Sequence, residues 1–270
     1  MAVCAAKTFL YGGHVRANGI RQHYLRYGGR GEPLVLIPGI TSPAITWGFV
    51  GERLGLKYDT YILDTRGRGL SETPADADYS LDTYARDAAE FAAALGLPRY
   101  RLLGHSMGAR IAARMARLYG ERLVRVALVD PPLSGPGRRP YVKDLAFYLD
   151  AIREARAGLA DVERVRRTYP NWTEEQLRTR AEWLHTCDDV AIEKSLRGLN
   201  EEDIHGDLPC ITVPALLLVA GKGGVIDDAD IAEVRQLLPT AQVRRIEHCG
   251  HMIPFDDLQA FLDAVEDFLA

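Results

Sequence analysis

Apolar positions along the chain recur in two alternating rhythms. A short unbroken run appears at Leu34-Val35-Leu36-Ile37, and similar strand segments follow at Thr60 to Leu63, Tyr100 to Leu103, Val124 to Val129, Ala215 to Val219 and Val243 to Ile246. The first is stopped by Pro38-Gly39, and runs of this kind suit strands buried on both faces of a parallel sheet. Between the runs the spacing becomes helical. Tyr84, Ala88, Phe91 and Leu95 predict one helix, with Ser80 as its N-cap and Gly96 then Pro98 as its stop. Ile111, Met115 and Leu118 predict the buried face of a second helix closed by Gly120, and Leu258, Phe261, Leu262, Val265 and Phe268 that of a third. Ahead of them, His14 to Ala17 and Ile20 to Tyr27 flank Asn18-Gly19, a two-residue hairpin signal. Strand–helix alternation predicts an α/β fold with a mostly parallel central sheet flanked by helices.

One interval breaks the rhythm. Residues 131 to 214 separate two strand runs, whereas a single crossover helix averages about 12 residues. Helical patterns near Tyr141 to Ala155, Leu159 to Arg167 and Thr173 to Cys187 fill this interval. The expected organisation is therefore a core of residues 1–132 and 208–270 with a helical cap, 133–207, inserted into it. No internal repeat or low-complexity linker interrupts this scheme.

Composition narrows the function classes. The chain has 270 residues, 26% of them charged, and a net charge of -4. That balance gives neither a nucleic-acid footprint nor a polybasic membrane patch. Cys4, Cys187, Cys210 and Cys249 are too dispersed for a zinc site or a disulfide framework, so a reducing compartment is expected. The apolar stretch Ala2 to Ala6 is cut by Lys7, short of a signal-peptide core, and no run approaches the ~18 apolar residues of a membrane helix. The expectation is a cytoplasmic protein whose partner is a small molecule.

Candidate chemistry begins at Gly104-His105-Ser106-Met107-Gly108, which follows a predicted strand and opens a predicted helix. This is the G-x-S-x-G nucleophile elbow in its required strand–turn–helix setting. It holds a serine oxygen at the sheet edge over a helix N-terminus whose partial positive charge favours an oxyanion. Two backbone N–H groups should face that charge: Met107, after the nucleophile, and Ile40 in the loop Gly39-Ile40-Thr41-Ser42-Pro43, with Thr41 as the next choice.

A serine nucleophile needs a base, and only His248 and His251 lie between the last strand and the last helix. His251, in Gly250-His251-Met252, is the expected base because its glycine lets the loop turn towards the sheet edge. For the acid, Asp130 stands at the tip of the strand that follows the nucleophile helix, and Pro131-Pro132 stops helical continuation there. Asp227, which with Asp228 comes three and four residues after Gly224, is the alternative. An acid at either place can orient the imidazole, because such a triad is defined by geometry rather than by chain position. Trp47 and Trp183 are candidate pocket walls. Thr41, Ser42, Arg138, Arg139 and His185 are candidate contacts for an anionic substrate.

Together these residues resemble the α/β-hydrolase superfamily over the whole chain. A narrower resemblance, to the N-formylmaleamate deformylase family of aerobic nicotinate degradation, rests on several segments. They are Gly39 to Gly48, Gly104 to Arg110, Val129 to Pro132, Ser134 to Arg139, Ala181 to Cys187 and Gly250 to Pro254. The superfamily often places its acid in a Gly-x-x-Asp pattern after the penultimate strand, where this chain has Gly224. The deformylase resemblance implies instead a triad of Ser106, Asp130 and His251, an α/β-hydrolase fold with an inserted cap, and an anionic amide substrate. It also implies formyl transfer to serine with no metal or organic cofactor. Asp64-x-Arg66-Gly67-Arg68-Gly69-x-Ser71 resembles a structural loop of the superfamily, in which Arg66 ties loops together rather than touching substrate. Two other readings stay open: a carboxylesterase or C–C bond hydrolase with the same triad, and a hydrolase-like ligand receptor. Dehalogenase or epoxide hydrolase chemistry is disfavoured, because it needs a carboxylate where Ser106 stands.

Overall fold

The computed structural model describes residues 7–74, 76–141, 143–223 and 225–270. The expectations for Ala2 to Ala6, Cys4 and Gly224 lie outside these residues. Eight strands form one sheet: β1 (Phe9–Ala17), β2 (Ile20–Tyr27), β3 (Pro33–Ile37), β4 (Asp59–Leu63), β5 (Tyr100–His105), β6 (Leu123–Val129), β7 (Ala215–Ala220) and β8 (Gln242–Ile246). Their order is β1-β2-β4-β3-β5-β6-β7-β8, with β1 and β2 antiparallel to their neighbours and the rest parallel. The Asn18-Gly19 turn joins β1 to β2 with both residues at positive φ (46° and 76°), the conformation a tight hairpin requires.

Each apolar run serves both faces of the sheet. Val35 and Ile37 of β3 enter one hydrophobic core while Leu34 and Leu36 enter the other, as a period of two demands. The first core lies under α2 (Leu81–Ala94) and α3 (Met107–Tyr119), the second under α1 (Gly48–Leu54) and α10 (Leu258–Leu269). Ser80 caps α2 by accepting from the Thr83 N–H. Leu118 departs from its expected role: it is 43% exposed, and Ile111, Ala112 and Met115 carry the buried stripe of α3.

Between β6 and β7 run four helices, α4 (Leu145–Arg156), α5 (Val162–Thr168), α6 (Glu174–Trp183) and α7 (Asp189–Glu201). The first three occupy the patterned stretches, trimmed by their caps. Asp144, Asp161 and Thr173 each accept from an N–H of the following first turn, so each helix starts just after its cap. The stretch expected to run on to Cys187 ends at Trp183 and tightens into a 3-10 turn. Helix α7 is not anticipated from the sequence, although Asp188 caps it and Ala191, Ile192, Ser195, Leu196 and Leu199 form its buried face. Two short helices complete the chain, α8 (Asp228–Leu237) and α9 (Ile253–Asp256). Among the described residues no helix is long and apolar enough to cross a membrane.

Candidate active site

The sheet reverses its winding at β3, which lies between β4 and β5, and ligands of open α/β sheets bind beyond the carboxyl ends of the strands at such a reversal. The loops after β3, β5, β6 and β8 converge there. Ser106 follows β5 with φ 55° and ψ -120°, a strained conformation for a residue with a side chain. Its flanking glycines are required by space. A Cβ on Gly104 would lie 2.1 Å from the Gly108 carbonyl oxygen, and one on Gly108 would lie 2.0 Å from that of Ile37. The Ser106 N–H donates to the Val129 carbonyl at 2.9 Å, which keeps the turn abreast of the end of β6.

Asp130 takes the next position at that edge. It too has positive φ (46°), and it is fully buried. Its N–H donates to the Leu218 carbonyl at 2.8 Å, and its Oδ1 accepts from the Ala220 N–H at 3.1 Å. Its Oδ2 lies 2.7 Å from His251 Nδ1, and His251 Nε2 lies 3.0 Å from Ser106 Oγ. The structure thus brings Ser106, His251 and Asp130 into one hydrogen-bonded chain. Asp227 is elsewhere, accepting from Asp230 N–H as the N-cap of α8. His248 is exposed and pairs with Asp257 at 2.8 Å.

The loop after β3 passes beside the serine, since a Cβ on Gly39 would sit 3.5 Å from Ser106 Cβ. Among the described residues the Ile40 N–H has no hydrogen-bond acceptor, and the Met107 N–H is unpaired by its place as first residue of α3. Buried arginines hold this loop. Arg68 donates to the Ile40 carbonyl at 2.9 Å and to Ser195 Oγ at 2.8 Å, bridging the loop to α7. Arg180 of α6 donates to the Thr41 carbonyl and, at 2.9 Å, to Thr41 Oγ1. Arg66 donates through Nε and Nη2 to the two Asp87 carboxylate oxygens (2.5 and 2.6 Å), away from the serine.

His105 supports the same edge from behind. It is fully buried, burial pushes its pKa down to about 3, and its Nε2 lies 2.9 Å from the His251 carbonyl. A neutral ring facing a carbonyl carries its proton on Nε2, so His105 donates there.

A cleft of about 320 Å³ opens over these groups. Its floor is Gly39 to Ser42, Ser106 and His251, and its far wall comes from the insertion: Tyr141, Lys143, Tyr148, Tyr169, Asn171, Trp172 and Arg180. Ser106 is only 3% exposed at the floor of this cleft. Thr41 and Ser42 line the cleft as anticipated substrate contacts, but five other candidates do not. Trp47 is fully buried behind the floor, its ring 5.1 Å from that of His105. Trp183 is outside the lining, and His185 is an exposed residue of the 3-10 turn whose ring pairs with the Glu182 carbonyl at the end of α6. Arg138 and Arg139 bind Glu233 and Asp230, so their charges are already neutralised at the surface. The aromatic wall is instead Trp172, stacked between Tyr169 (4.1 Å) and Phe255 (4.2 Å). Neither Trp172 nor Arg180 was singled out by the sequence. For Trp172 the cue present is its place in the loop just before the Thr173 cap; for Arg180 it is a cation on the apolar face of α6, three residues after Leu177 and four before Leu184.

A strained serine in hydrogen-bonded sequence with histidine and aspartate, on this sheet, defines the class. The chain belongs to the α/β-hydrolase fold family, whose model matches residues 32–258, and it is a hydrolase. It is 57% identical over 262 residues to N-formylmaleamate deformylase of Pseudomonas putida, covering 97% of each chain. The crystal structure of an N-formylmaleamic acid deformylase from Pseudomonas putida S16 aligns with a TM-score of 0.90 at 49% identity, covering 95% of this chain and 100% of that one. A more distant relative, 2-(acetamidomethylene)succinate hydrolase of Mesorhizobium japonicum, is 27% identical over 91% of this chain and 90% of that one.

Proposed function

We propose that the protein is a serine hydrolase that cleaves the N-formyl amide of N-formylmaleamate, releasing formate and maleamate. The observation that carries the mechanism is the Asp130–His251–Ser106 chain, with contacts of 2.7 and 3.0 Å at the floor of one cleft. The full-length similarity to a deformylase supports the substrate. In this reading residues 133–207 act as the cap that closes the cleft.

Ser106 Oγ attacks the formyl carbon while His251 Nε2 takes the hydroxyl proton, and Asp130 stabilises the imidazolium that forms. The carbonyl electron pair moves onto oxygen, which accepts from the Ile40 and Met107 N–H groups. Losing one such donor typically costs about 2.7–4 kcal/mol of transition-state stabilisation. The intermediate collapses, the C–N bond breaks, and His251 returns its proton to the departing nitrogen, so maleamate leaves and a formyl ester stays on Ser106. Water, deprotonated by His251, then attacks that ester; formate departs and the serine regains its proton. The positive-φ backbone of Ser106 and Asp130 supports these roles, because it holds each side chain in contact with His251.

Incubation of the purified protein with N-formylmaleamate, beside an aryl acetate, tests the reading. Equimolar formate and maleamate, released faster than the aryl ester is cleaved, are expected. Efficient ester cleavage without formate would make the protein an esterase.

A further inference from the structure

The cleft wall holds a charge that the chemistry above does not use. Arg180 is only 8% exposed, although arginine on a helix ordinarily reaches solvent. Both groups it donates to, the carbonyl and hydroxyl of Thr41, are neutral. Its helix neighbour Arg178 pairs with Glu174 at 3.7 Å, whereas Arg180 has no carboxylate partner among the described residues. A buried cation without a counter-charge is costly, and it is retained where something supplies that charge. The carboxylate that lines the same cleft, Asp256, is exposed, and its Oδ2 accepts from the Gly250 N–H at 2.7 Å. The other lysine or arginine in the lining, Lys143, is exposed and lies 4.4 Å from the Phe147 ring centroid.

We propose that Arg180 selects for an anionic substrate: the substrate's carboxylate, remote from the reacting carbonyl, supplies the missing counter-charge. The proposal rests on the deformylase reading, and it names the group that reads the acid end of that substrate. A guanidinium suits the task because its planar fork fits a carboxylate. The same guanidinium grips Thr41, the residue after the oxyanion donor Ile40. Anchoring the anion therefore also fixes the loop that receives the oxyanion, and the remote carboxylate contributes to kcat as well as to KM.

The test compares N-formylmaleamate with N-formylisocrotonamide, the Z-configured analogue in which a methyl group replaces the carboxylate. A charge-assisted hydrogen bond changes affinity by roughly 10- to 100-fold, so wild-type enzyme should prefer the anion by at least that factor in kcat/KM. Arg180→Met should remove most of the preference, slowing the anion far more than the neutral analogue. Arg180→Lys should retain part of it. Equal loss on both substrates by a variant with native circular dichroism would make Arg180 a structural residue and overturn the proposal. So would a wild-type enzyme indifferent to the carboxylate. If Arg180→Met does not fold, inhibition of the wild type by maleamate and by isocrotonamide reads the same point: equal inhibition overturns the proposal, and selective inhibition by maleamate supports it. Wild-type enzyme inert towards both formyl amides would instead refute the deformylase reading itself.

Discussion

His105 gives a quantitative handle on the packing behind the nucleophile. In the native protein its ring is neutral, with a pKa pushed down to about 3 by burial and by the nearby His251, against an ordinary 6.5. Its Nε2–H donates to the His251 carbonyl, and its Nδ1 is buried with no partner. Below pH 6.5 the unfolded chain takes up a proton at this residue that the native state refuses until about pH 3. The stability owed to the neutral ring is therefore complete above pH 6.5 and is lost as the pH falls through that window. The slope is about 1.4 kcal/mol per pH unit, so the loss by pH 5 amounts to ~2 kcal/mol. His105→Gln preserves a donor near the Nε2 position and removes the titration. Urea unfolding of both proteins at pH 7.5 and pH 5 should show the wild type losing ~2 kcal/mol more than the variant. Carboxylates and other histidines contribute to both and cancel in the difference. Identical pH dependence in the two proteins would refute the neutral, desolvated state assigned to His105.

Other expectations concern the acid, the elbow and the thiols. Asp130→Ala should lower kcat by about 10⁴-fold, while Asp227→Ala should leave turnover intact and cost about 1 kcal/mol of stability through loss of the α8 cap; steady-state kinetics with denaturant unfolding would expose the reverse ordering. Gly108→Ala must displace backbone, because its Cβ would lie 2.0 Å from the Ile37 carbonyl oxygen. A variant with wild-type melting temperature would contradict that packing. Burial pushes the Cys187 and Cys249 thiols up to about 11, whereas Cys210 is exposed. Peptide mapping after brief iodoacetamide treatment of native protein should find Cys210 alkylated well before the other two.

The centre of the sheet is legible in the sequence because strands such as β3 and β7 are buried on both faces and so read as continuous apolar runs. The serine, histidine and aspartate can be named for a related reason: each sits where a strand run stops, at a turn whose glycine or proline is visible locally. Helix α7 carries the same kind of signal: Ile192, Leu196 and Leu199 recur at helical spacing behind the Asp188 cap, so it is legible in the sequence although the expected helices stop at Cys187. The cleft wall is legible least of all. Whether Trp47 or Trp172 faces a ligand depends on how α5 and α6 sit over the sheet, and that is decided by long-range packing such as the Trp172–Phe255 stack. Arg138 and Arg180 make the same point with charge. The first is neutralised by Glu233, distant in sequence, while the second finds only Thr41.

The most direct test of the account is the rate of formate release from N-formylmaleamate by wild-type protein and by Ser106→Ala at equal concentration. A nucleophile that works as a unit with its base carries most of the rate, so the variant should fall by at least ~10⁴-fold while keeping its native fold. Formate release by a folded Ser106→Ala protein within tenfold of wild type would contradict serine catalysis at this site.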